Sequence, residues 1–109
     1  MGDASDAFAQ AMNRLWEKHL PQMQERVAIL QKAAESLANG TLTATDQQQA
    51  GAEAHKLAGV LGTFGLNQGT ELAREAEGLY EGSLDGNRAA APRLAAIAEE
   101  LAVMIANRT

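Results

Sequence analysis

The chain contains no cysteine. That excludes disulfide staples and thiolate metal sites, and it fits a reducing compartment. Aromatic residues make up only 4% and prolines number two, while hydrophobic residues reach 46%. Alanine and leucine must therefore fill the core, a composition that favours helix. β-branched residues are scattered and no run alternates with period two, so no sheet is expected. Long apolar runs are also missing. Nothing approaches the roughly 18 residues of a membrane span, and the acidic opening "MGDASDAF" does not read as a signal peptide. Lys and Arg form no cluster, and the net charge is -5, which argues against a nucleic-acid partner. The 109 residues suit a single domain, residues 1–109, with Met1-Gly2 as a plausible start for a piece excised from a longer protein.

The expected fold is all-α, with five helical segments. The first covers residues 5 to 19, with Phe8, Met12, Leu15 and Trp16 on one face. Pro21 suits the opening turn of a second helix, which runs to Ala38 with Met23, Val27, Leu30, Ala34 and Leu37 as its stripe. "NGT" at residues 39 to 41 ends it. A third helix starts at "TATD", where Thr43 and Asp46 have capping-box spacing, and stops at Gly65 after Phe64. A fourth spans Leu66 to Glu81, and "EGSLDGN" (residues 81 to 87) is a turn cluster. A fifth spans Asn87 to Asn107, with Pro92 in its opening turn. Short connections make neighbours antiparallel, so segments two to five predict an up-down-up-down four-helix bundle. The short N-terminal helix is additional, packed across one end or along one side.

The third segment carries the unusual feature. "EAHKLAGVLGTFGL" holds three glycines around one histidine, His55, and Gly51 lies just upstream. Each glycine inside a helix costs roughly 1 kcal/mol relative to alanine. With successive residues turning by about 100°, Ala50, Ala54, Leu57, Leu61 and Phe64 fall on the far side of the wheel from His55. Within about 60° of His55 lie Gln48, Gly51, Ala52, Ala58, Gly59 and Gly62, none of them a large apolar residue. The geometry predicts an exposed imidazole on a bare face that another backbone can approach closely. A neutral ring nitrogen is a nucleophile, and a phosphoryl group is a fitting electrophile. The chain has no GxxxxGK[ST] loop and no kinase signatures, so it would take phosphate from a partner rather than from ATP. Neither a Glu-x-x-His pair of the di-metal type nor a serine–histidine–acid order for hydrolysis stands out, and no metal site is expected.

"AHKLAGVLGTFGL", residues 54 to 66, resembles the signature of histidine-containing phosphotransfer (HPt) domains: His55, then Leu57, Gly59 and Gly65 at offsets of two, four and ten. The resemblance implies a four-helix bundle, usually with an extra N-terminal helix, and a phosphocarrier rather than an enzyme. It implies phosphoryl transfer on His55 between receiver-domain aspartates, or between a histidine or hybrid kinase and a receiver. The receiver would supply the Mg²⁺, and the chain would need no cofactor of its own. The family position twenty-two residues after the histidine, which bonds the inner ring nitrogen, falls on Glu77. Two departures stand out. Where many members carry a lysine three residues after the histidine, this chain has Ala58, with Lys56 as the nearby cation; where many carry serines, it has Val60 and Leu61.

The implied role is a cytoplasmic, monomeric phosphorelay module with no membrane partner, docking its receiver through Gln48, Gly51, Ala52, Ala58, Gly59 and Gly62, with Lys56 and Glu77 supporting phosphate and ring. The alternatives are a non-phosphorylated docking module of the same fold, or the phosphoacceptor domain of a chemotaxis-type kinase. Plainer readings apply elsewhere. His19 would bond free carbonyls at a helix C-terminus. Trp16 and Phe8 would be packing residues. Gly69 and Gly78 would mark close helix packing or looser ends. Arg74 would be a solvated charge or the partner of Glu77 three residues on.

Overall fold

A computed structural model describes residues 4–82 and 88–108. Among them are four α-helices and one short 3-10 turn, with no strand: α1 Ala4–Asn39, α2 Ala44–Thr63, α3 Asn67–Glu81, the turn Arg88–Ala90, and α4 Ala91–Asn107. Most of the turn cluster at 81 to 87, and the expected start of the last helix at Asn87, lie outside the described residues.

The helix ends follow local chemistry. Thr43 caps α2 by accepting from the Asp46 N–H at 3.0 Å. Helices α1 and α2 both stop with a glycine at positive φ, Gly40 (72°) and Gly65 (75°). At each, paired bonds return to the last turn: Thr41 N–H to Ser36 O and Gly40 N–H to Leu37 O, then Leu66 N–H to Leu61 O and Gly65 N–H to Gly62 O. This arrangement satisfies carbonyls that the helix itself leaves free. It also lets Leu66 alone separate Gly65 from the start of α3.

The separate N-terminal helix expected before Pro21 is not there. Helix α1 runs unbroken for 36 residues with Pro21 inside it. The buried stripe explains the continuity. Trp16, Met23, Val27, Leu30, Ala34 and Leu37, with half-buried Met12 and Leu20, keep three- and four-residue steps straight through the proline. Pro21 costs the Glu17 carbonyl its partner, but both residues face solvent, where water can replace the bond. At 1.5 Å per residue α1 is about 54 Å long, against about 30 Å for α2. It sets the long dimension of a molecule measuring 58 × 20 × 19 Å. Its first turns run beyond the bundle, so Phe8, expected to pack, is 66% exposed. His19 falls mid-helix, not at a C-terminus, with its ring 6.4 Å from that of Phe64.

Contacts along the helices set their directions. Residues 16, 26 and 36 of α1 lie level with Phe64 at the end of α2 and with residues 53 and 46 within it, through the Trp16–Phe64 ring contact, the Arg26–Glu53 ion pair and a groove lined from both helices. Positions 47, 55 and 58 of α2 meet 80, 77 and 70 of α3. Each pair is therefore antiparallel. The interior is aliphatic, with Met23, Leu30, Leu57, Leu61, Leu94, Ile97 and Leu101 fully buried. Gly69 belongs to it, since a Cβ there would lie 2.8 Å from Met104 Sδ. No buried polar or charged residue interrupts it among the described residues.

Tyr80 is the exception at the atomic level. Its ring is buried, and its hydroxyl has no hydrogen-bond partner among the described residues. Burial pushes the phenol up to about 12 from its ordinary 10.0. The fold therefore keeps the neutral form, and this contribution is complete below pH 10 and lost as pH rises towards 12. Tyr80→Phe should melt no lower than wild type at neutral pH, with a gain of up to about 1 kcal/mol from removing an unpaired hydroxyl. Its alkaline loss of stability should be shallower, as thermal melts between neutral pH and pH 11 would show.

Candidate functional site

The α2–α3 pair positions the site. Alanines 50, 54 and 58 of α2 and alanines 73 and 76 of α3 are buried, and side chains this small let the two axes approach closely. Thr70 ties the pair together by donating its hydroxyl to the Ala58 carbonyl at 3.0 Å. Gln47 donates to the Tyr80 carbonyl at 2.7 Å near the other end.

Between these ties His55 stands out from α2 with its side chain 74% exposed. Its Nδ1 lies 2.8 Å from Glu77 Oε2, on a carboxylate that is only 19% exposed. A carboxylate only accepts, so Nδ1 carries the proton and donates it. In the neutral ring Nε2 then holds a free lone pair, on the side away from Glu77. The expected alternative, an ion pair between Glu77 and Arg74, does not form.

The surroundings of His55 divide into three. Gln48, Ala52, Gly59 and Gly62 are exposed and continue a stripe through His55 at steps of four and three. A Cβ at Gly59 would meet nothing within 4 Å, so no packing inside the chain demands glycine there. At Gly62 a Cβ would lie 3.3 Å from Thr70 Oγ, so that glycine also serves the helix contact. Gly51 and Ala58 differ. Both are buried, Gly51 beneath Tyr80 and Glu81, because they sit on the edge of the wheel that α3 covers. A helical wheel gives the angle of a residue but not the position of the neighbouring helix. Below His55, a depression of about 550 Å³ opens beside Gln47, Gln48, Ala52 and Glu81.

Lys56 turns away from this face. Its ammonium lies 3.7 Å from Glu53, which is held at 2.7 Å by Arg26 of α1. The chain of charges Arg26–Glu53–Lys56 was not marked by any motif. Its one sequence signal is the three-residue step from Glu53 to Lys56. A larger and more apolar groove of about 570 Å³ lies between α3 and α4, beside Leu66, Leu72, Val103 and Met104, away from the imidazole. Among the described residues no cluster of three or more His, Asp or Glu side chains could hold a metal ion, and no helix is long and apolar enough to cross a membrane.

Residues 14–107 match the family model described as Hpt domain. A curated relative, Protein RcaC from Microchaete diplosiphon, is 36% identical over 75 residues, which cover 69% of this chain and 12% of that protein. The chain thus corresponds to a small part of that relative. No solved structure matches.

The geometry of the ring predicts its tautomer. In a long-range ¹H–¹⁵N spectrum, neutral His55 should show a protonated Nδ1 and a bare Nε2. Glu77→Ala should shift it towards the Nε2-protonated form. An unchanged pattern in that variant would mean that the carboxylate does not set the tautomer.

Proposed function

Because the chain belongs to the Hpt domain family, we propose that it is the histidine phosphotransfer module of a two-component phosphorelay, accepting a phosphoryl group on His55 Nε2 from one receiver-domain aspartate and donating it to another. The observation that carries this reading is the 2.8 Å bond from Nδ1 to Glu77 on a ring that is otherwise exposed. The buried side of the imidazole is fixed, and the nucleophilic side is presented.

The transfer balances simply. The Nε2 lone pair forms a bond to phosphorus while the phosphorus–oxygen bond of the aspartyl phosphate breaks. The electron pair of that bond leaves with the aspartate as its carboxylate. The product ring is an N-phosphoimidazolium, whose positive charge and Nδ1 proton face Glu77. Reversal returns the group to a second carboxylate, with the imidazole as leaving group. Little covalent work falls to the protein in such a transfer, so positioning and charge placement dominate. The receiver would bring the aspartate and a Mg²⁺ ion to neutralise the phosphoryl oxygens. A histidine or hybrid kinase would charge the relay upstream.

The docking surface in this reading is the exposed stripe of Gln48, Ala52, Gly59 and Gly62, bordered by Gly51 and Ala58 on the edge that α3 covers. Small side chains let a partner's backbone reach the ring. We read the antiparallel helices as the up-down-up-down bundle of the family, acting as a cytoplasmic monomer.

Mixing the domain with a phosphorylated receiver and Mg²⁺ should add one phosphoryl group by intact mass, and His55→Gln should take up none. Equal labelling of the variant would overturn the assignment, and receiver binding without any transfer would favour a silent docking module. Gly59→Leu should raise the melting temperature, because an exposed helix interior gains up to about 1 kcal/mol when glycine is replaced. It should also slow transfer by more than about tenfold through steric exclusion, a loss worth roughly 1.4 kcal/mol. Undiminished transfer would remove the steric role of the bare face.

A further inference from the structure

A phosphoryl group on Nε2 carries close to two negative charges. The segment around His55 offers it no cation where the family often has one, since position 58 is a buried alanine. Lys56 is 54% exposed but lies about 100° round α2 and is turned to Glu53. The other side of the site holds a better placed charge. With Glu77 as reference on α3, Thr70 falls at about 20°, Glu81 at about 40° and Arg74 at about 60°, while the buried Leu72, Ala73, Ala76 and Tyr80 fall between about 220° and 320°. Arg74 therefore shares the exposed flank of α3 that borders His55, one turn from the carboxylate that holds the ring.

Direction then separates the two charges on that flank. Because α2 and α3 are antiparallel, Glu81 lies level with Gly51, as the 3.8 Å approach of its Cγ to a Cβ there shows. Arg74 lies on the opposite side, about 4.5 Å along the axis from Glu77 towards Thr70 and the Gly62 end of α2. A Cβ at Gly59, one turn after His55, would meet nothing within 4 Å, so no side chain of α2 fills the face at that level. Arg74 is exposed and makes no ion pair or hydrogen bond among the described residues. A guanidinium on a flexible stem thus lies about one helical turn along α3 from the residue that holds the ring.

Resting on the phosphotransfer reading above, we propose that Arg74 of α3 is the phosphate-facing cation of this site, supplying from the neighbouring helix the charge that α2 lacks. The ring is held from α3 by Glu77, and its phosphoryl group is held from α3 by Arg74. Among the described residues Glu81, Lys56 and Glu53 are the other charges near the site. Glu81 disfavours the phosphoryl group leaning towards Gln48, and Glu53 keeps Lys56 occupied.

Phosphoramidate tests this without any partner protein, because His55 Nε2 displaces ammonia from it and forms the same phosphorus–nitrogen bond. In a His19→Gln background only one imidazole reacts. Arg74→Gln should hydrolyse its phosphohistidine about fivefold faster than the parent, and Arg74→Lys should recover most of the lifetime. The ³¹P titration of the phosphoryl group should move up by roughly half a unit in Arg74→Gln, since the cation favours the dianion, a shift that a purely structural role would not produce. Lys56→Gln should leave both readings at parental values. Arg74→Gln with parental lifetime and titration, or a larger effect from Lys56→Gln, would overturn the proposal. Failure of receivers to charge a domain that phosphoramidate does charge would instead count against the relay reading alone.

Discussion

The bond between His55 Nδ1 and Glu77 Oε2 spans two helices, so it exists only if α2 and α3 keep one register. Several features hold that register. The buried alanines let the helices approach closely, and Thr70 and Gln47 tie them on either side of the pair. The connection is short because Gly65 takes a left-handed conformation and Leu66 leads directly into α3. A slip of one residue on α3 would rotate Glu77 by about 100° and take the carboxylate off the ring. The core, with no polar residue among its described members, supplies a rigid base for this one polar contact.

The charges around the site are divided by helix. Helix α1 contributes Arg26, which pairs with Glu53 at 2.7 Å, and Glu53 also holds Lys56 at 3.7 Å, away from the imidazole. Helix α3 contributes Glu77, bonded to the ring, and the exposed Arg74 about one turn along from it. The α2 face is left almost without side chains. Such a surface presents one reactive atom and little else, which suits a carrier whose partners bring the rest of the chemistry. On the far flank of α3, Glu75 and Arg93 form a two-bond ion pair to α4, at 2.6 and 2.7 Å, that lowers the Glu75 pKa and lies apart from the imidazole.

Much of this was legible before the structure. Helix ends at Gly40, Thr43 and Gly65 follow from capping chemistry, and the wheel sets His55 opposite Leu57 and Leu61. The failures have physical causes. Pro21 reads as a boundary, yet the apolar stripe keeps phase from Trp16 to Met23 across it, and that phase was the better signal. Breaking α1 at the proline also misplaced His19 and gave Phe8 a packing role that an overhanging helix cannot provide. Gly51 and Ala58 share the angular sector of His55, but α3 covers them, and only tertiary packing decides which edge of a sector is covered. The pairing of Arg26 with Glu53 joins residues 27 positions apart on different helices, beyond the reach of periodicity.

The central claim is that Glu77 fixes the ring so that Nε2 is the reacting atom. The most direct test is to phosphorylate the domain with ¹⁵N-histidine incorporated and to find, by phosphorus–nitrogen coupling, which nitrogen of His55 carries the group. The account predicts attachment at Nε2, with the Nδ1 proton still bonded to Glu77. Attachment at Nδ1 would contradict it, because that atom is occupied in the geometry described.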